Sequence, residues 1–105
     1  MSARINAEQF EELVLKADKP VLVDFYSDTC IPCKMLSVTL GDIEDTYEDK
    51  IQIYKVNVNY DADLAGEYQV MAAPTLILFH QGEERGRLRG AVSKDEITAL
   101  FAEYL

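Results

Sequence analysis

The chain has 105 residues, 49% of them apolar, enough for one globular domain around a single core. Nineteen acidic residues against ten basic ones give a net charge of -9, which excludes charge-driven binding to nucleic acid or to an anionic membrane surface. No run of about 18 apolar residues is present to span a bilayer, and residues 1–19 lack the apolar core of a secretory leader, so the expectation is a cytosolic protein.

In chain order, Asn6 with Gln9 reads as a capping box, and Phe10, Leu13, Val14 and Ala17 then share one helical face up to Pro20. Residues 21–26, Val-Leu-Val-Asp-Phe-Tyr, form a near-continuous apolar run of strand length. Such a run suits a central strand covered on both sides. Asp24 is the exception in its middle. Residues 27–32 make a short loop into a second helix, whose apolar positions are Leu36, Leu40, Ile43 and Tyr47. Residues 51–58 form a second strand. Asp61 or Asp63 is placed to cap a short helix reaching Tyr68. Residues 75–79 read as a third buried strand and 80–83 as a hairpin turn. The strand after the turn runs to about Arg89, where Arg85, Arg87 and Arg89 alternate as a solvated edge. His80 is expected to be exposed at the hairpin. Ser93 with Glu96 gives a second capping box, followed by Ile97, Leu100, Phe101 and Tyr104 on one face.

The order helix, strand, helix, strand, helix, strand, strand, helix predicts one α/β domain over residues 1–105. The strand–helix–strand unit over residues 21–58 implies parallel pairing, and the final hairpin implies an antiparallel edge. A mixed sheet with helices on both faces then buries every apolar surface.

Cys30 and Cys33 lie where the first central strand feeds a helix. A helix start offers free backbone N–H groups and a partial positive charge, which favour the reactive thiolate. Two intervening residues let one thiolate attack a disulfide and the other resolve the product one turn later. Pro32 suits the first helical turn, where a missing N–H has no intrahelical partner to lose. Two other readings of the pair stand beside this one. They are buried structural cysteines, or a zinc site, for which the chain offers only these two cysteines and His80 against a need for about four ligands.

The surrounding residues resemble the thioredoxin family. They are the strand at 21–26, Cys30-Ile31-Pro32-Cys33-Lys34, and Ala73-Pro74-Thr75 before an apolar strand. Lys55, Gly82 and Gly90-Ala91 extend the likeness over nearly the whole chain. The resemblance implies a thioredoxin fold and a redox-active disulfide between Cys30 and Cys33. It also implies that Asp24 is a buried aspartate beneath the pair and that Lys55 pairs with that carboxylate. A carboxyl in an apolar strand independently calls for a raised pKa and suits proton exchange with Cys33. Pro74 corresponds to a cis-proline facing the cysteines, and the backbone at Ala73 to the place where an extended substrate segment docks. Gly90 and Ala91 are small residues that line the same groove.

The sequence departs from the family at several positions. Thr29 stands where tryptophan usually precedes the first cysteine, Ile31 where glycine follows it, and Tyr26 where another tryptophan is common. With Pro32, Thr29 and Ile31 complete the expected substrate surface. Ile31 also stiffens the loop. Asp28 adds a negative charge that opposes ionisation of Cys30. Val38 replaces a proline that bends the helix, which restores a backbone donor and removes the cause of the bend.

The expected activity is protein-disulfide reduction on oxidised cytosolic proteins, with electrons from a separate thioredoxin-reductase-type donor, no prosthetic group and a monomeric state. The alternatives are a dithiol oxidant or isomerase, and a thioredoxin-fold binding subunit without turnover.

Overall fold

The structure, a computed structural model, describes residues 2–105; Met1, the first residue of the expected domain, lies outside them. The elements in order are β1 (Ala3–Arg4), α1 (Ala7–Phe10), β2 (Val21–Tyr26), α2 (Ile31–Thr46), β3 (Gln52–Asn57), α3 (Ala62–Glu67), β4 (Thr75–His80), β5 (Glu83–Arg89) and α4 (Lys94–Phe101). A π-helical turn, Glu11–Leu15, extends α1, and a 3-10 turn, Ala102–Tyr104, closes α4.

The five strands form one mixed sheet in the order β1-β3-β2-β4-β5. β3 runs parallel to both β1 and β2, while β4 is antiparallel to β2 and β5. Alternation along the strands divides the core in two. Val21, Val23, Phe25, Ile77 and Phe79 pack with Phe10, Val14 and Leu64 on one face. Leu22, Ile53, Leu76 and Leu78 pack with Leu36, Leu40, Ile43, Ile97 and Phe101 on the other. The helices on both faces and the antiparallel edge agree with the sequence.

Local signals account for the element starts. Asn6 Oδ1 accepts from Gln9 N at 3.0 Å, and Gln9 Oε1 accepts from Asn6 N at 3.0 Å, closing the capping box of α1. Ser93 Oγ caps Glu96 N at 3.2 Å; the Glu96 carboxylate turns to the Ser93 hydroxyl, so only half of the second box forms. Gln81 and Gly82 both have positive φ, 55° and 79°, which a two-residue hairpin loop needs to follow the strand twist.

Four expectations are corrected. The first helix ends with the turn at Leu15, five residues before Pro20, where the Lys16 backbone N–H closes onto Glu11 O. Asp61 precedes α3 but makes no side-chain cap there; its Oδ1 accepts from Ala7 N at 3.1 Å and serves the start of α1 instead. His80 is half-buried, its ring 5.3 Å from that of Tyr104. Arg87 is not simply solvated: Glu84 holds it at 2.7 Å, and it donates to Tyr68 O at 2.9 Å. The strand β1 carries no apolar signal, because both its residues are exposed and its pairing comes from the edge of β3.

Candidate redox site

The register of β2 and β4 places two distant loops at one end of the sheet. Phe25, near the end of β2, pairs with Thr75, the first residue of β4. The loop after β2 and the chain before β4 therefore meet. Cys30 lies in the first and Ala73-Pro74 in the second, and Cys30 Sγ is 3.5 Å from Ala73 O. With the sulfur unprotonated in a disulfide, this is a polar contact; a thiol there has an acceptor in reach. The Ala73–Pro74 peptide bond is cis, and Pro74 is buried. Thr75 Oγ1 donates to Ala72 O at 2.6 Å, and Gly90 N donates to Pro74 O at 3.0 Å. Gly90 has φ 87°, a conformation glycine adopts without penalty, and this turns the chain after β5 back onto the proline. Ala91 follows it, exposed.

Cys30 and Cys33 form a disulfide with Cα atoms 5.2 Å apart. Their environments differ. Cys30 is the N-cap of α2, half-exposed, and its sulfur accepts from Cys33 N at 3.1 Å. Cys33 is buried, 4% exposed, in the first turn. A 16-residue helix thus directs a free N–H and its positive end at one sulfur. Pro32 occupies the first turn, as its missing donor allows.

Beneath Cys33 lies a pocket of about 160 Å³ lined by Asp24, Tyr26, Asp28, Lys34, Lys55 and their neighbours. Asp24 and Lys55 are paired in the β2–β3 register. Asp24 is 3% exposed, and among the described residues nothing donates to its Oδ1. Burial raises its pKa from 3.8 to about 7, and the Lys55 charge partly opposes the rise. Lys55 Nζ stands 5.1 Å from the centre of the Tyr26 ring, within reach of its negative face.

Of the expected substrate surface, Thr29 and Ala73 share a groove of about 290 Å³ with Val58, Val70 and Met71. Ile31 projects into solvent, 70% exposed. Asn57, one of the polar residues of the second strand and assigned no role from the sequence, is fully buried. Its Nδ2 donates to Asp28 at 3.3 Å and its Oδ1 accepts from Asn59 N at 2.9 Å and Tyr60 N at 3.3 Å. It thereby ties the loop bearing Asp28 to the end of β3. An asparagine at a strand end, followed by Asn59 and Asp61, is a turn signal that identifies such a residue. The helix α2 runs unbroken through Val38.

The thioredoxin family model matches residues 1–103. The chain is 38% identical over 101 residues to a thioredoxin of Acidithiobacillus ferridurans, covering 96% of this chain and 94% of that protein. It is 40% identical over 97 residues to a thioredoxin of Pseudomonas aeruginosa, covering 92% and 90%. It is 37% identical over 101 residues to chloroplastic thioredoxin M2 of Arabidopsis thaliana, covering 96% of this chain but 54% of that longer protein.

Proposed function

The chain belongs to the thioredoxin family and is a thiol–disulfide oxidoreductase of the protein-disulfide reductase type, and on that footing we propose how its residues divide the work. The carrying observation is the asymmetry of the cysteine pair. Cys30 sits at the mouth with the Cys33 N–H on its sulfur, while Cys33 is buried over Asp24.

The Cys30 thiolate attacks one sulfur of a substrate disulfide. A Cys30–substrate mixed disulfide forms, and the other substrate sulfur leaves as a thiolate and takes a proton. Cys33 then gives its proton to the Asp24 carboxylate, and its thiolate attacks Cys30 Sγ. The mixed disulfide breaks, the second substrate thiolate departs and is protonated, and the Cys30–Cys33 disulfide described above remains. Two electrons pass to the substrate; of the two protons its thiolates take up, one derives from Cys33 by way of Asp24 and the other from solvent. A group with a pKa of about 7 can both accept and release a proton near neutral pH, which suits Asp24 to the exchange. Lys55 tunes that carboxyl, and Tyr26 holds the ammonium beside it. Ala73 and Pro74, with Thr29, Ile31, Pro32, Gly90 and Ala91 around them, form the surface for the extended segment that carries the substrate disulfide.

A separate reductase restores the dithiol from outside the chain, which places the protein in an electron-transfer sequence. Residues 1–105 act as one domain and as a monomer in the cytoplasm. No helix among the described residues is long and apolar enough to cross a membrane. The test is reduction of insulin by dithiothreitol, followed by turbidity. Micromolar protein accelerates precipitation; an unchanged rate overturns the general-reductase reading.

A further inference from the structure

The inner face of α2 is buried through Cys33, Leu36, Leu40 and Ile43. On its outer face Ile31, Met35 and Val38 are 70%, 62% and 71% exposed. At roughly 100° per residue these three fall within one arc of about 80° together with the exposed carboxylates Asp42 and Asp45. The stripe starts beside Cys30. Its apolar part runs about 10 Å, and the two carboxylates follow about 17 and 21 Å from Ile31. Lys34 stands at its flank. Single exposed apolar residues are ordinary, but three in line, leading from the reactive sulfur to two charges, make a patch with a direction. Val38 is costly on both counts: a β-branched residue lowers helix propensity, and here its side chain faces water.

Cys30 is the N-cap of α2, so a protein whose disulfide reaches its sulfur comes up against the first turn of that helix. We propose that the outer face of α2 is a docking track for that protein. It takes a segment with apolar side chains next to the reactive cystine and Arg or Lys about 17–21 Å further on, against Asp42 and Asp45. This rests on the reductase reading. The net charge of -9 favours the same basic partner at long range.

The test uses three synthetic peptide disulfides with one shared cystine and helical tails of equal length. One tail is apolar then Arg, one apolar then Glu, and one Ser then Arg. Glutathione disulfide serves as the small probe, and kcat/KM is measured for each. The apolar–Arg peptide is reduced about threefold faster than apolar–Glu at low salt, and the difference collapses at 1 M salt. Met35→Ser with Val38→Ser lowers the ratio of kcat/KM for the apolar–Arg peptide to that for glutathione disulfide by about fivefold. Asp42→Asn with Asp45→Asn makes the Arg and Glu tails equivalent. Equal reduction of the Arg and Glu tails at low salt, or a ratio untouched by the serine pair, overturns the proposal. So does concentration-dependent self-association that the serine pair abolishes, which assigns the stripe to a second copy of the chain. Failure to reduce any probe, glutathione disulfide included, overturns the reductase reading and the track with it.

Discussion

Asp24 on β2 and Lys55 on β3 stand opposite each other in a parallel register, and both line the pocket that reaches Cys33. The carboxyl is the more buried partner, 3% exposed, while the lysine is half-buried with its ammonium over the Tyr26 ring. Desolvation therefore outweighs attraction, and the Asp24 pKa lies at about 7 rather than 3.8.

A stability profile follows from that shift. Below the ordinary value of 3.8 Asp24 is protonated in both folded and unfolded chains. Between 3.8 and about 7 the unfolded chain loses a proton that the folded chain keeps, so stability falls as pH rises, and above about 7 the loss is complete. Asp24→Asn removes this penalty. The variant is more stable than the parent at pH 8 by at most about 4 kcal/mol, at about 1.4 kcal/mol per pKa unit. The gap narrows as pH drops through 7 toward 4. Urea denaturation at several pH values checks it, and a gap independent of pH contradicts the shift.

Lys55→Met removes the charge that lowers the Asp24 pKa. The Asp24 titration then moves above about 7. A carboxyl carbon titration by NMR reads it directly. A midpoint that stays in place or falls shows that Lys55 does not act on Asp24 through its charge.

Cys33→Ser leaves the attacking sulfur without its resolving partner. Mixed disulfides accumulate through Cys30 when the variant meets oxidised protein, and they appear as thiol-sensitive bands on non-reducing gels. Cys30→Ser leaves only a buried thiol and traps little. Equal trapping by the two variants reverses the assignment of attacker and resolver.

Gly90→Ala forces a β-carbon into φ 87° while meeting no atom within 4 Å. The cost is therefore conformational, about 1–2 kcal/mol. It also disturbs the Gly90 N–H bond to Pro74 O. A lowered urea midpoint together with weaker substrate binding is expected. An unchanged midpoint shows that the backbone relaxes there at no cost.

Much of the molecule was legible before its structure. The run at residues 21–26, the capping box at Asn6 and Gln9, the hairpin at Gln81-Gly82 and the cysteine pair at a helix start depend on periodicity, on capping chemistry or on a positive φ. These are local properties, carried by residues a few positions apart. A buried aspartate inside an apolar run was legible for the same reason.

Tertiary structure decided the rest, because each remaining feature depends on what the fold brings over a residue. Ala73 reaches Cys30 across 43 positions of chain because β2 and β4 pair in one register. Asp61 leaves its own helix for Ala7, 54 positions away. The size of the Asp24 shift follows from the depth of its burial and from where Lys55 comes to rest. The outer face of α2 is open because both layers of core close on the other side of that helix or of the sheet. The sequence by itself determined the strands β2 to β5, the caps at Asn6 and Ser93 and the two thiols. Desolvation and long-range pairing, which no local window contains, determined how deeply each thiol is buried and which residues stand beside it.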